Sequence, residues 1–254
     1  MKRLLAIVML YALPVLAGPD LLTPEERVWL DQHSPLRYAP DPAFPPFEYF
    51  DSEGRLAGIT PELLSIVASN LGTRIEVVRL PTWSEVLVAI QDGRADLIGS
   101  VVKTPERETY LLFTRPYGEV PYGLFVGKDM PRDTTLKQLY AARVGVVRNY
   151  GAHAWLTQHH PGLPSIPVET TREGLLLVAV GQLDAMLETL PVGRQVIEDL
   201  SLFNLTHLPQ VLYTTPQHLA VSIRQPILLG ILQKGLNSIP PARRAAIMDQ
   251  ATGY

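Results

Sequence analysis

Residues 82–117, TWSEVLVAIQDGRADLIGSVVKTPERETYLLFTRPY, decide the fold class. The segment opens on Thr82, whose hydroxyl can cap a helix, and Glu85 stands three residues later as in a capping box. The helix is expected to stop at Gly93, and the apolar residues 95–100 then predict a buried strand. A helix that leads directly into a buried strand is typical of an α/β sheet with parallel strands.

The same alternation extends in both directions from this segment. Upstream, a strand is expected at residues 36–38, a helix opened by Thr60 and ended by Gly72, and a strand within residues 74–80. Downstream, strands are expected at 120–126, 144–147, 166–168, 185–187 and 219–223, and helices at 136–142, 152–159, 171–180, 226–239 and 241–248. The pattern predicts two sheets with helices on both faces. The two series divide near residues 116–121 without a flexible linker, which indicates two lobes joined by ordered strands.

Composition excludes several classes of protein. Of 254 residues 46% are hydrophobic and 19% charged, so the chain can bury a core and is not a disordered protein. The formal net charge is -3 with no basic cluster, so no nucleic-acid partner is expected. There is no cysteine, which excludes thiol catalysis and disulfides. Phosphate-loop and dinucleotide motifs are absent and His159-His160 lacks ligand spacing, so neither a cofactor nor a metal is expected.

The N-terminus has the pattern of a signal peptide. Lys2 and Arg3 precede an apolar run over residues 4–17, and small residues stand near its end. A membrane anchor needs about 20 apolar residues, and Asp20 arrives too early for one. We therefore expect residues 1–17 to be cleaved near Ala17 and the mature chain to be periplasmic.

Several segments, taken in order, resemble the family-3 periplasmic solute-binding proteins. They are DPAFPPF at 41–47, the segment 82–117, LTPEERVWLDQH at 22–33 and VGVVRNYGAHAWL at 144–156. The last two look most like the Venus-flytrap sensor modules of histidine kinases and diguanylate cyclases. The resemblance implies a two-lobed periplasmic binding protein fold of type II, each lobe a mainly parallel sheet, with two hinge strands. Lobe 1 is expected at 18–118 and 219–254, and lobe 2 at 119–218.

In lobe 1 the resemblance implies five ligand-binding residues. Arg107 follows a buried strand, where α/β sheets place ligands, and can hold a carboxylate; the alternative is a solvated arginine. Ser100 matches a position that contacts the same anion, or else it caps a turn. Phe44 and Trp83 match the aromatic pair between which family ligands stack, although both can be ordinary core residues. Asp41 matches a position that contacts a ligand amine, or it caps the turn at Pro42.

In lobe 2 the resemblance implies four more. Asn149 and Tyr150 stand between a strand and a helix, where backbone N–H groups favour polar ligands, and the family usually has glycine in place of Asn149. Thr189 stands where amino-acid binders have an ammonium-binding aspartate, with Glu188 beside it. Because threonine cannot compensate a buried ammonium, we expect either a carboxylate ligand that lacks an α-amino group or a module that signals with weak or no amino-acid binding.

These observations predict the binding of a small, carboxylate-bearing solute between the lobes, for sensing, with a membrane sensor as partner. The first alternative is a substrate-binding receptor that delivers an amino-acid-like solute to an ABC permease. A remote alternative is an exported dehydratase in which Glu188 is the general acid. A single carboxylate without a second catalytic group argues that the chain is not an enzyme.

Overall fold

The structure is a computed structural model, and it describes residues 21–252. The signal-peptide prediction therefore lies outside the described residues. The α-helices are α1 Pro24–His33, α2 Ile59–Leu71, α3 Trp83–Asp92, α4 Gly151–His159, α5 Thr171–Ala179, α6 Leu190–Asp199, α7 Pro226–Asn237 and α8 Pro241–Thr252. Short 3-10 helices lie at Arg107–Thr109 and Leu136–Leu139. Within residues 21–252 no helix combines the length and the apolar character that crossing a membrane requires.

The strands form one large and one small sheet. They are β1 Leu36–Tyr38, β2 Ala43–Phe44, β3 Glu48–Phe50, β4 Leu56–Ala57, β5 Ile75–Val77, β6 Leu97–Val101, β7 Leu111–Phe113, β8 Gly118–Gly127, β9 Val144–Val147, β10 Ser165–Val168, β11 Ala185–Thr189, β12 Leu205–His207 and β13 Tyr213–Ser222. The large sheet has the order β10-β9-β11-β8-β13-β6-β1-β5, with β12 beside β8 and β7 beside β13; β2, β3 and β4 form the small sheet.

Two long strands, β8 and β13, join the two halves of the large sheet. They run antiparallel, with Tyr213 opposite Tyr122 and Gln217 opposite Gly118. The second part of β13 then leaves β8 and pairs with β6 and β7. On either side of this pair the outer strands are parallel, β5-β1-β6 in one half and β10-β9-β11 in the other.

The C-terminal helices pack on the half that contains the N-terminus. The ammonium of Lys234 in α7 lies 2.6 Å from the Glu26 carboxylate of α1. A Cβ at Gly235 would come within 2.6 Å of Val67 in α2, so the two helices pack at close range. Helix α7 therefore contacts both α1 and α2.

One expected helix cap has a different role. Helix α2 begins at Ile59 after Gly58, one residue before Thr60, and Gly58 has a φ of 119° that suits glycine alone. A Cβ there would also lie 2.4 Å from the Phe47 carbonyl oxygen. The Thr60 hydroxyl instead makes hydrogen bonds of 2.8 Å with Ser100 Oγ and 2.9 Å with Tyr117 Oη.

Two other elements differ from the sequence-based expectation. Helix α6 was not expected, because Pro191 and Gly193 are helix breakers in an interior. Pro191 lies in the first turn, where its missing N–H costs nothing. Gly193 lets the Phe125 ring approach, since a Cβ at position 193 would lie 2.2 Å from Cζ of Phe125. The helix expected at residues 136–142 is only the 3-10 turn Leu136–Leu139.

Candidate functional site

The carboxyl-end loops of both halves of the sheet meet at one small cavity. Its volume is about 20 Å³, which leaves room for about one water molecule. The lining residues are Asp41, Phe44, Trp83, Ser100, Val102, Arg107, Tyr122, Tyr150 and Gly151. Six of the nine residues predicted from the sequence are therefore brought to one place, and each lies near or after the end of a strand or at the start of a helix.

Tyr150 fills most of the space between the halves. It precedes α4 in the second half, and its side chain is buried at 7% exposure. The phenol donates a 2.5 Å hydrogen bond to Asp41 Oδ2. Its ring meets Phe44 and Trp83 edge to face, at centroid distances of 5.4 and 6.1 Å. The aromatic pair expected to hold a ligand thus holds a side chain of the protein itself.

Arg107 is buried at the same place and donates to backbone carbonyls. Its Nη1 lies 2.8 Å from the Val102 oxygen, and its Nη2 lies 2.6 Å from the Asn149 oxygen. Trp83 Nε1 donates to the same Asn149 oxygen at 3.0 Å, and the guanidinium carbon stands 5.4 Å from the centre of the Trp83 ring. Burial lowers the pKa of Arg107, yet the group stays charged because the ordinary value is so high.

Asn149 supplies the remaining bond between the halves. Its φ is 60°, in the left-handed region that asparagine adopts more readily than most residues. Its side-chain amide donates to Ser84 Oγ at 3.0 Å. Asn149 and Tyr150, which we call the latch, therefore carry four hydrogen bonds from the second half to Asp41, Trp83, Ser84 and Arg107 of the first.

A buried hydroxyl network supports the first-half wall of the cavity. Ser100 has a φ of 45°, which is unusual for serine, and its N–H donates to Tyr117 Oη at 3.1 Å. Its hydroxyl bonds Thr60 and Tyr117 as well. The hydrogen bonds hold Ser100 in a backbone conformation that would otherwise be costly, which fixes its position under the cavity.

Three buried carboxyl groups surround the site, and burial raises the pKa of each. The pKa of Asp41 rises to about 6, against opposing hydrogen bonds from Tyr150 and the Ala43 N–H. The pKa of Glu48 rises to about 8, although Tyr38 and the Asp41 N–H donate to it, and the charge of Asp41 adds to the rise. The pKa of Glu188 rises to about 7, again with a contribution from Asp41. Desolvation is the main cause in all three groups.

Glu188 and Thr189 lie behind the cavity and do not line it. Thr171 Oγ1 and the Thr189 N–H donate to the Glu188 carboxyl at 2.5 and 2.6 Å. The Thr189 hydroxyl is buried without a hydrogen-bond partner among the described residues. In this closed arrangement neither side chain reaches the space that Tyr150 occupies.

Three lining residues were not predicted as site residues. Tyr122 lies on β8 directly opposite Thr189 of β11. It falls within the hinge strand expected at residues 120–126. Gly151 begins α4, and a Cβ there would lie only 2.3 Å from Cγ2 of Val102. The closeness of Gly151 and Val102 depends on how the two halves meet, which no local pattern reveals.

A wider groove opens beside the cavity, with a volume of about 500 Å³. Helix α3 of the first half and helix α4 of the second form its walls, and Arg107 and Tyr150 lie where it meets the cavity.

Among residues 21–252 no three His, Asp or Glu side chains are grouped to hold a metal ion.

Comparison with known proteins identifies relatives of the whole folded region. The model of the bacterial extracellular solute-binding proteins, family 3, matches residues 36–250. The virulence sensor protein BvgS of Bordetella pertussis is 27% identical over 233 residues, covering 90% of this chain and 18% of BvgS. The sensor protein EvgS of Escherichia coli is 26% identical over 232 residues, covering 91% of this chain and 19% of EvgS.

A solved structure shows the same architecture. A crystallised histidine kinase sensor domain with similarity to periplasmic binding proteins superposes with a TM-score of 0.82 at 25% identity, covering 88% of this chain and 98% of that domain. This confirms the two-lobed periplasmic binding protein fold. The chain spans about a fifth of the length of BvgS and EvgS.

Proposed function

Because this chain belongs to the bacterial extracellular solute-binding proteins of family 3, we propose that it is a periplasmic sensor module whose lobes are closed by its own side chains. The observation that carries the proposal is the latch. Its four hydrogen bonds join the lobes directly, and Tyr150 occupies the space between the aromatic rings of Phe44 and Trp83.

A sensor has a use for such closure. Each interlobe hydrogen bond contributes about 0.5 to 1.5 kcal/mol net, so four of them can hold the closed state as the resting state. A ligand or an attached domain then signals by shifting the balance between closed and open states. A delivery receptor instead needs a resting state that is open to solute, which the latch opposes. We therefore favour the sensor over the importer receptor, with a membrane sensor protein as the partner.

The remaining parts of the account are proposals of the same kind. We assign lobe 1 to residues 18–118 and 219–254 and lobe 2 to 119–218, with β8 and β13 as the hinge. The solute enters the interlobe cleft and offers Arg107 a carboxylate or carbonyl oxygen. The module binds and does not catalyse, since the Glu188 carboxyl is committed to Thr171 and the Thr189 backbone and no second catalytic group adjoins it within the described part of the chain.

The test is an interlobe distance distribution measured with and without the latch. The chain has no cysteine, so Val88→Cys on α3 and Gln158→Cys on α4 give two unique label sites on exposed residues of opposite lobes. We expect one narrow, short distance in this background. Asn149→Gly and Tyr150→Ala remove the Tyr150 ring and the two side-chain hydrogen bonds of the latch, to Asp41 and Ser84, and should give a longer, broader distribution. Tyr140→Ala, a tyrosine of lobe 2 outside the cleft, is the matched control and should leave the distribution unchanged. Identical distributions with and without the latch side chains would contradict the proposal.

A further inference from the structure

The latch has the features of a ligand that is attached to the protein. Besides the Asn149 side-chain amide, which bonds Ser84, it presents two groups to the cavity of lobe 1: the Asn149 carbonyl oxygen and the Tyr150 phenol. Resting on the proposed function, we propose that the cleft of lobe 1 recognises a free molecule with the same two groups, a para-hydroxyphenyl ring and a carboxylate or carbonyl oxygen. Binding of that molecule displaces the latch and opens the lobes.

The ring half of the site is specific for a hydroxylated aromatic group. Phe44 and Trp83 meet the Tyr150 ring edge to face, which is a preferred geometry for aromatic pairs. Asp41 accepts the phenol hydrogen on Oδ2, while its Oδ1 accepts the Ala43 N–H at 2.8 Å. A ring without the hydroxyl would leave a buried carboxyl oxygen unpaired, and an unsatisfied charged acceptor is costly. The hydroxyl is thus required for recognition.

The oxygen half of the site favours a carboxylate. Arg107 Nη2 and Trp83 Nε1 converge on a single oxygen, that of Asn149, at 2.6 and 3.0 Å. Both hydrogen-bond partners of the Arg107 guanidinium are neutral carbonyls, and no carboxylate among residues 21–252 forms an ion pair with it. A ligand carboxylate adds the missing negative charge, which makes its hydrogen bonds stronger than those of the carbonyl it replaces.

The covalent path of the latch gives the spacing of the two groups. Between the Asn149 oxygen and the Tyr150 ring stand the carbonyl carbon, the amide nitrogen, Cα and Cβ, which is four atoms. The compound 4-(4-hydroxyphenyl)butanoate also places four atoms, all carbon, between a carboxylate oxygen and a phenol ring. Its analogue 4-phenylbutanoate differs only in lacking the hydroxyl, so the pair isolates the role of Asp41.

A free ligand competes with a group that is tethered beside the site. The apparent affinity of the wild-type chain is the intrinsic affinity reduced by the fraction of molecules in which the latch is released. Removal of the Tyr150 ring removes that competition for the aromatic space. The affinity of the cleft for the hydroxylated probe should then rise. If Tyr150 instead helped to bind the ligand, its removal would lower that affinity.

The experiment is calorimetry of both probes with the wild-type chain and with Tyr150→Ala. We expect Tyr150→Ala to bind 4-(4-hydroxyphenyl)butanoate at least tenfold more tightly than the wild type does, and at least tenfold more tightly than it binds 4-phenylbutanoate. Adding Asp41→Ala should abolish the preference for the hydroxyl. Tyr140→Ala should bind the hydroxylated probe with the wild-type affinity, because that tyrosine lies outside the cleft.

Two results would overturn the inference: equal binding of both probes by Tyr150→Ala, or binding of neither by a variant that is folded by circular dichroism. If Tyr150→Ala does not fold, Tyr150→Phe takes its place, because it keeps the ring and removes only the hydrogen bond to Asp41. It should then bind the hydroxylated probe several-fold more tightly than the wild type, and an unchanged affinity overturns the inference. A wild-type chain with open lobes would overturn the proposed function and the displacement of the latch. The preference of Tyr150→Ala for the hydroxylated probe tests recognition separately, since it is measured without the Tyr150 ring.

Discussion

Substitution of Gly151 by alanine should open the module without unfolding either lobe. Gly151 is the first residue of α4 in lobe 2, and a Cβ there would lie 2.3 Å from Cγ2 of Val102 in lobe 1. Carbon atoms pack best at about 3.5 to 4.0 Å, so the lobes would have to separate by more than about 1 Å at this contact. Val102 is a β-branched residue at 8% exposure, so it can turn aside very little.

The expected cost falls on the closed state alone. Overpacking of this kind costs about 1 to 3 kcal/mol. Since about 1.4 kcal/mol changes an equilibrium tenfold, the ratio of closed to open molecules should fall by roughly five- to 150-fold. The free energy of unfolding should fall by no more than the gap between the closed and open states, because Gly151 has an ordinary backbone conformation and alanine is the better helix former.

Distances between labels at positions 88 and 158 measure the effect. Gly151→Ala should lengthen the interlobe distance, and adding Val102→Ala should restore the short one. Gly127→Ala is the matched control and should change nothing, because an added Cβ at this glycine of lobe 2 would meet no atom of residues 21–252 within 4 Å. If Gly151→Ala keeps the short distance, or if Val102→Ala fails to reverse its effect, the reasoning about this contact is refuted.

Three further substitutions test the site and the fold. The pKa values of the cleft carboxyls are higher in the folded state than in the unfolded state. The free energy of unfolding should therefore fall as pH rises from about 4.5 to 8, by up to about 1.4 kcal/mol per pH unit for each group. Glu48→Gln should flatten this dependence in urea titrations at pH 5 to 8. An unchanged slope would show that Glu48 does not titrate there. Arg107→Ala removes two charged hydrogen bonds of about 1.5 to 3 kcal/mol each and should lengthen the interlobe distance; retention of the wild-type distance would exclude Arg107 from closure. Gly193→Ala forces a Cβ within 2.2 Å of Phe125 and should lower the free energy of unfolding by about 1 to 3 kcal/mol in urea, whereas an unchanged value would contradict the packing of α6 on β8.

Much of the fold could be predicted because strands and helix starts carry local signals. The run of apolar β-formers at Val144–Val147 is a strand with the expected bounds, and Thr82 caps α3 by accepting the Glu85 N–H. These features depend on a few neighbouring residues. Helix α6 could not be predicted, because Pro191 and Gly193 are tolerated only through their places in the first turn and against Phe125.

The location of the cavity could also be predicted, but not what fills it. Arg107, Trp83 and Asp41 follow or begin elements at one edge of the sheet, so topology brings them together. Which group satisfies them depends on the approach of the second lobe. The family resemblance assigns their polar groups to a ligand, whereas in the structure Tyr150 and the Asn149 carbonyl take those contacts. Hydrogen bonds between distant segments have no signature in local sequence.

Small-angle X-ray scattering of the wild-type chain, refolded from denaturant to remove any bound solute, tests the central claim most directly. If the latch closes the lobes, the scattering curve will match that calculated from the structure, and added solute will not make the particle more compact. A curve that requires separated lobes, and that contracts only when a solute is added, would contradict closure by the protein's own side chains.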